Sequence, residues 1–155
     1  LKELFEIREV IEGLATKNAC RKVTPALVRE LRAINRDLTA AIATRDVLAS
    51  LSANQKFHFT LYQAAGSEVL MPLIESLWLQ AGPTMYFSFI APGMPWDASA
   101  HAEVLDALRQ KKPAAAQRAI IRDIRTTARH LLANTVFLPA GGPLLSPIGE
   151  LNLDL

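Results

Sequence analysis

Apolar residues recur at helical spacing along nearly the whole chain, and this periodicity restricts the fold more than any other feature of the sequence. The stripe from Leu27 to Ile42 is typical, because its large apolar members are separated by four, three, four and four positions. No segment shows the apolar–polar alternation that marks a half-buried strand. The sequence therefore predicts an all-α protein.

Residues with strong preferences for helix ends divide this pattern into segments. Thr24 followed by Pro25 predicts a helix start, because threonine can cap the first turn and proline fits its first position. A third helix is predicted from about Asp46 to Ala65, and Gly66 is a suitable residue to end it.

Two alternatives exist for the end of the fourth helix. Its apolar pattern, which begins at Leu70, either fades near Gly82 and Pro83 or continues toward Phe89. Proline inside a helix removes a backbone hydrogen bond, which favours the first alternative, whereas the apolar residues beyond it favour the second.

The helical pattern stops after Ala133. Residues 134–155 contain several prolines and glycines, so we expect them to form an irregular C-terminal tail. Residues 1–133 are enough for one domain with its own core. Because the chain starts at Leu1 already in helical pattern, we expect it to be a piece of a longer protein.

Charge and cysteine content narrow the classes of partner and location. The 17 basic residues are interspersed with 15 acidic ones, and no basic block of the kind that contacts nucleic acid stands out. Any contact with DNA would therefore need another part of the polypeptide. A single cysteine, Cys20, excludes an internal disulfide and fits a reducing cytoplasm. No apolar run approaches the roughly 20 residues that span a bilayer, so no membrane association is expected.

Polar residues inside apolar helical stripes indicate a buried site. His58 and His101 each lie in such a stripe, Asn54 precedes His58 by one turn, and Asp123 interrupts the stripe of the last long helix. Imidazole nitrogens and a carboxylate suit a divalent ion such as zinc, nickel or manganese, and the asparagine could add a carbonyl oxygen. The alternative is a set of histidines that are simply hydrogen-bonded in the core.

Arg8 shares a helix face with apolar residues, so we expect it to be at least partly buried. Its guanidinium can pair with Glu12, one turn later, or with the carboxylate of a bound effector. Tyr62, one turn after His58, could direct its hydroxyl into a ligand cavity. Trp78 could line the same cavity, although aromatic residues at helical spacing are often plain core.

Motifs for enzyme catalysis are missing from the sequence. It contains neither a nucleophile elbow, nor a His-Glu-x-x-His zinc motif, nor a phosphate-binding glycine loop. We therefore predict a protein that is not an enzyme, although a metal with open coordination positions could support catalysis. A metal-dependent enzyme on a helical scaffold is one alternative, and an interaction module with mutually satisfied polar residues is another.

Three segments together resemble the FCD domain, the C-terminal effector-binding domain of FadR-type GntR transcription regulators. The resemblance covers roughly Leu1 to Ala133. The segments that carry it are Leu4-Phe5-Glu6-Ile7-Arg8 with Glu12, Asn54-Gln55-Lys56-Phe57-His58-Phe59-Thr60-Leu61, and His101-Ala102-Glu103-Val104-Leu105-Asp106-Ala107-Leu108.

The resemblance implies an antiparallel bundle of six or seven helices that encloses a central cavity. Many members bind a divalent metal there through one aspartate and three histidines and sense small organic acids. The family's aspartate falls on Asn54, its first two histidines on His58 and His101, and its third histidine on Asp123. One carboxylate is thus lost and another gained, while the family's arginine matches Arg8.

The resemblance also implies a homodimer that acts on DNA through an N-terminal winged-helix domain, which this chain does not contain. Effector binding would shift the arrangement of the dimer and so the spacing of the two DNA-binding heads. Exposed apolar residues on the first and fourth helices could supply the dimer face. The site residues implied are His58, His101, Asp123 and Asn54 for the metal, with Arg8, Tyr62 and Trp78 for the effector.

Overall fold

The structure, a computed structural model, describes residues 1–90 and 98–134, with the side chains of 87–90 and 134 left aside. Within these ranges the chain forms six helices and no strand, which confirms the all-α prediction. The predicted tail lies outside the described residues apart from Asn134, the last residue of the final helix. The helices are α1 (Lys2–Arg21), α2 (Pro25–Ala43), α3 (Val47–Gln63), α4 (Leu70–Ile90), α5 (Ser99–Arg109) and α6 (Pro113–Asn134).

Local capping chemistry sets several of these boundaries. The Thr24 side chain accepts a hydrogen bond from the backbone N–H of Leu27, and Pro25 occupies the first position of α2 as predicted. Asp46 caps α3 in the same way through the N–H of Ala49. Gly66 follows α3 with a φ of +62°, a left-handed conformation that glycine adopts without strain.

Helix α4 follows the longer of its two predicted courses. It continues through Pro83 and ends at Ile90. Proline inside a helix forfeits one backbone hydrogen bond. The continuation keeps Ala81 and Met85 in the core, on both sides of the proline, and this burial offsets the lost hydrogen bond.

The two terminal helices pack closely against each other. Gly13 of α1 lies so near α6 that a Cβ atom built on it would meet the Cδ1 atom of Ile121 at 3.0 Å. An ion pair between Glu9 and Arg125 joins the same two helices at the surface. The next most extensive pairings are α2 with α3 and α5 with α6, and each of these joins two helices that follow one another in the chain.

The buried face of α1 is not the apolar stripe that its sequence suggests. The helical spacing of the apolar residues near the N-terminus predicts a buried stripe of Leu4, Ile7, Ile11, Leu14 and Ala15. Ile7 and Leu14 are nevertheless 43% and 42% exposed. Arg8 and Glu12 are buried instead, at 2% and 0%. The prediction that Arg8 would be at least partly buried is therefore confirmed, and the predicted stripe is wrong at Ile7 and Leu14.

The spacing of apolar positions predicts that the last helix buries Ala116, Ile120, Ile124, Thr127 and Leu131. Four of these residues are buried, and Thr127 is half-buried. No helix among the described residues is both long enough and apolar enough to cross a membrane.

Candidate metal centre

Helices α3, α5 and α6 each contribute one potential metal ligand to a single cluster. The Nε2 atoms of His58 and His101 lie 3.1 Å apart. The Oδ2 atom of Asp123 lies 3.2 Å from the first and 3.7 Å from the second. Both histidines are 2% exposed, whereas a quarter of the Asp123 side chain remains accessible. Three of the four residues predicted from the sequence therefore meet in space.

These distances suit a divalent ion. Bonds of about 2.0–2.1 Å in a tetrahedral zinc site hold the ligand atoms about 3.3 Å from one another. The three separations in the cluster fall on both sides of that value. Two imidazoles and one carboxylate are also a ligand set found in catalytic and sensing sites, where a fourth position stays open.

Asn54, the fourth predicted ligand, borders the same pocket as these three residues. It lies on α3 one turn before His58 and is 7% exposed. Its amide is therefore near the cluster, and a role as an additional oxygen ligand stays a prediction.

The electrostatics of the cluster favour an ionised Asp123 carboxylate beside a neutral His101 imidazole. Burial lowers the pKa of His101, against the opposing influence of Asp123. Burial alone would raise the pKa of Asp123, but hydrogen bonding to His101 and His58 outweighs it and holds that pKa well below its usual range. A carboxylate and unprotonated imidazoles are the forms that bind metal.

On the side of its ring away from the cluster, His58 contacts Tyr62, which in turn contacts Glu12. Its Nδ1 atom lies 2.8 Å from the Tyr62 hydroxyl, which donates a 2.6 Å hydrogen bond to Oε2 of Glu12. Burial and the negative charge of Glu12 raise the pKa of Tyr62 well above its usual range, so the hydroxyl keeps its proton. The described contacts of this hydroxyl are thus with His58 and Glu12, and Tyr62 is not among the residues that line the pocket. Direct ligand contact by Tyr62 stays a prediction.

His101 is fixed by two neighbours. Its ring stacks on Phe57 with 4.0 Å between centroids and 4° between planes. Its Nδ1 atom lies 3.2 Å from Oδ1 of Asn35 on α2. Sequence reasoning missed Asn35, because nothing distinguishes it from the other polar residues of an amphipathic helix.

Arg8 is a buried residue that borders the same pocket. Its Nε atom donates to Oε1 of Glu12 at 2.7 Å, which confirms the intrahelical pair. Its guanidinium also lies over the rings of Phe5 and Trp78, 5.0 Å and 4.9 Å from their centroids. Because Arg8 borders the pocket as well, the pair with Glu12 and contact with a ligand are compatible.

Trp78 packs between Arg8 and His58. Its ring centroid is 5.2 Å from that of His58, and its indole Nε1–H is buried with no hydrogen-bond partner among the described residues. It borders a neighbouring groove between α3 and α4. Asn54 and Met85 line both this groove and the pocket next to the cluster. Its role as a ligand-binding residue stays a prediction.

The pocket that Arg8 and the cluster line has a volume of about 250 Å³ and opens to solvent. Its apolar wall comes from α2, α4 and α6. A closed central cavity, as the resemblance implied, stays a prediction. The residues of the apolar wall are Leu38, Ile42, Met85 and Ile124.

A comparison with models of protein families identifies the family to which the chain belongs. The family model described as the FCD domain matches residues 3–126. The chain belongs to the FCD domain family. This confirms the resemblance found in the sequence, and all residues that line the pocket except Thr127 lie within the matched range of this FCD domain.

Individual relatives agree with this assignment. The HTH-type transcriptional regulator McbR of Escherichia coli K12 is 28% identical over 91 residues, which are 59% of this chain and 41% of McbR. The solved structure of E. coli McbR/YncC superimposes with a TM-score of 0.77 at 21% identity, covering 84% of this chain and 63% of that one. Streptococcus agalactiae GntR gives a TM-score of 0.68 at 22% identity over 83% and 57%. The FCD domain thus has the same fold as both, and it spans less than two thirds of each.

Proposed function

We propose that this FCD domain is the effector-sensing and dimerisation part of a GntR/FadR-type transcription regulator. It binds a small organic acid together with a divalent metal ion. One observation carries the proposal: three potential ligand atoms converge at a pocket that a buried arginine also lines. The regulatory role is supported by the McbR relative, which is named as a transcriptional regulator. We accordingly propose a cytoplasmic protein that is not an enzyme.

The effector's carboxylate lies between the metal ligands and Arg8. Because Arg8 uses Nε for Glu12, its two terminal amino groups can donate a pair of hydrogen bonds to the oxygens of a carboxylate. Zinc, nickel or manganese bound by His58, His101 and Asp123, with Asn54 nearby, would supply Lewis acidity and open positions for the same carboxylate. The Trp78 ring packs against the guanidinium of Arg8.

The charges around the pocket favour a monocarboxylate. The positive charge of Arg8 is offset by Glu12, its partner at 2.7 Å. A divalent ion offset by the single carboxylate of Asp123 leaves one net positive charge in a pocket of about 250 Å³. An acid with one negative charge neutralises this, whereas additional buried carboxylates would stay unpaired at a cost of several kcal/mol.

The regulatory output is a shift of population. Effector binding favours one arrangement of a homodimer and thereby changes the spacing of two DNA-binding winged-helix heads, which lie in another part of the polypeptide. The linkage is reciprocal, so DNA binding changes effector affinity by the same factor.

Metal content tests the site directly. We expect about one equivalent of zinc, nickel or manganese in protein purified without chelators, and none in His58→Ala, which removes one of three ligands. Inductively coupled plasma mass spectrometry measures both. His130→Ala is the matched control, because His130 lies on α6 outside the cluster, and it should retain the metal. A wild-type protein without bound metal, even after incubation with Zn²⁺, would refute the metal site.

The dimer face is proposed to include the exposed apolar stripe of α1. Ile7, Val10 and Leu14 lie three and four positions apart on one side of the helix and are 43%, 67% and 42% exposed. Leu73 of α4, 48% exposed, is a candidate extension of this face.

Val10→Asp is expected to weaken the dimer by at least about 100-fold, since a two-fold interface contains the residue twice and each buried valine contributes about 1.5 kcal/mol or more. Analytical ultracentrifugation over a concentration series measures the change. Leu48→Asp, at a 71% exposed position of α3, introduces the same charge elsewhere and should leave the dimer intact. Equal dissociation constants for the two variants would contradict the assigned face.

A further inference from the structure

The Tyr62 hydroxyl has one proton and two polar neighbours. Glu12 lies 2.6 Å away and is itself paired with the guanidinium of Arg8, so it is an ionised carboxylate that only accepts hydrogen bonds. The proton of Tyr62 therefore points to Glu12. The hydroxyl oxygen can then only accept from its second neighbour, the Nδ1 atom of His58 at 2.8 Å.

The proton count thereby determines which nitrogen of His58 faces the cluster with a lone pair. Nδ1 must carry the proton that Tyr62 accepts. In a neutral imidazole the other nitrogen, Nε2, is then unprotonated. This Nε2 atom lies 3.1 Å from Nε2 of His101 and 3.2 Å from Oδ2 of Asp123.

Asn35 acts on His101 in the same way. Its Oδ1 atom accepts hydrogen bonds only, and at 3.2 Å from Nδ1 it places the His101 proton on that nitrogen. The ring stack on Phe57 keeps the imidazole in this plane. With Nδ1 protonated on both rings, a cation that replaces the contacts of the two Nε2 atoms with Asp123 would meet lone pairs from both histidines at the same point.

We infer that Tyr62, backed by Glu12, and Asn35 are positioning residues that hold His58 and His101 with Nδ1 protonated and Nε2 directed as a lone-pair donor toward a shared cation. This inference rests on the proposed metal-binding function and adds residues that touch no metal themselves. It assigns Tyr62 a role through His58 and gives Asn35 a function.

Removal of the Tyr62 hydroxyl has a specific chemical consequence. Without its acceptor, the buried Nδ1–H of His58 is unsatisfied, and the proton is better placed on Nε2, where Asp123 can accept it. A protonated Nε2 cannot bind a metal. Loss of such an outer partner typically lowers metal affinity by about 10–100-fold.

The test compares Tyr62→Phe with Tyr86→Phe, which makes the same chemical change at a residue of α4 that is 44% exposed. Zn²⁺ affinity is measured by competition with a chromophoric chelator, and circular dichroism verifies that each variant is folded. We expect an affinity loss of about 10–100-fold for Tyr62→Phe and less than about twofold for Tyr86→Phe. Equal Zn²⁺ affinities for the two folded variants would overturn the inference.

A second measurement, nuclear magnetic resonance of the histidine nitrogens, locates the proton of His58 directly and does not require bound metal. In ¹⁵N-histidine-labelled wild-type protein, with and without Zn²⁺, Nδ1 of His58 should carry a proton, and in metal-free Tyr62→Phe the proton should move to Nε2. An unprotonated Nδ1 in the wild type would refute the positioning role. If the wild type bound no Zn²⁺ yet kept this proton on Nδ1, the metal proposal would fail while the assignment of the proton would stand.

Discussion

Glu12→Ala is expected to lower the free energy of unfolding by about 3–5 kcal/mol, the usual cost of breaking a buried ion pair by removing one partner. Glu12 is fully buried, and each of its carboxylate oxygens has a partner: Arg8 at 2.7 Å and the Tyr62 hydroxyl at 2.6 Å. The substitution leaves a guanidinium charge without compensation at a site that is 2% exposed, and a phenolic hydroxyl without its acceptor.

Urea denaturation measures this change, and the same helix offers a control. Glu9 pairs with Arg125, whose side chain is 49% exposed. Surface pairs contribute about 0–1 kcal/mol, so Glu9→Ala should fall in that range. If the two alanine variants lost equal stability, the buried pair would not be the stabilising feature that its geometry indicates.

Arg8→Lys is expected to weaken binding of a carboxylate effector by about 10–100-fold, since each hydrogen bond between charged groups contributes about 1.5–3 kcal/mol and lysine cannot offer the planar fork. The lysine keeps the positive charge beside Glu12, so the fold is less affected than by removal of the charge. The effect is therefore expected in binding more than in stability.

Isothermal titration of the Zn²⁺-loaded protein with lactate and related α-hydroxy and α-keto monocarboxylates measures the affinity, and the corresponding amides control for the carboxylate. Arg122→Lys is the matched variant, because Arg122 borders the pocket but pairs with Glu103 at the surface. It should leave the affinity within about threefold of wild type. Binding of acid and amide with equal strength, or equal losses in both variants, would contradict a carboxylate held by Arg8.

The α1 helix illustrates where sequence reasoning was insufficient. Hydropathy placed Ile7 and Leu14 in the core, yet both are about 40% exposed, while Arg8 and Glu12 are buried. An ion pair can replace apolar residues in a core only if distant residues complete its hydrogen bonds and cover it. Tyr62 of α3 and Trp78 of α4 do so here, and neither is near α1 in the sequence.

The sequence predicted which residues form the site but not which hydrogen bonds join them to their neighbours. His58, His101 and Asp123 were identifiable because polar groups on apolar stripes are costly unless they are paired or bind a ligand. That Glu12 would be shared between Arg8 and Tyr62, and that Asn35 would contact His101, could not be foreseen. The first contact depends on how α1 and α3 are rotated about their axes, and the second depends on the rotation of α2 and α5.

The sequence by itself determined the helices and the residue types of the site, because periodicity, capping and the cost of burying polar groups are local properties of the chain. It also contained the FCD pattern, whereas the assignment of Asn54 and Asp123 to two of the family's metal-ligand positions stays a prediction. Only the tertiary structure decided which atoms meet. The rotation of each helix is set by packing against all its neighbours at once, and a turn of one residue, about 100°, would move a ligand out of the pocket.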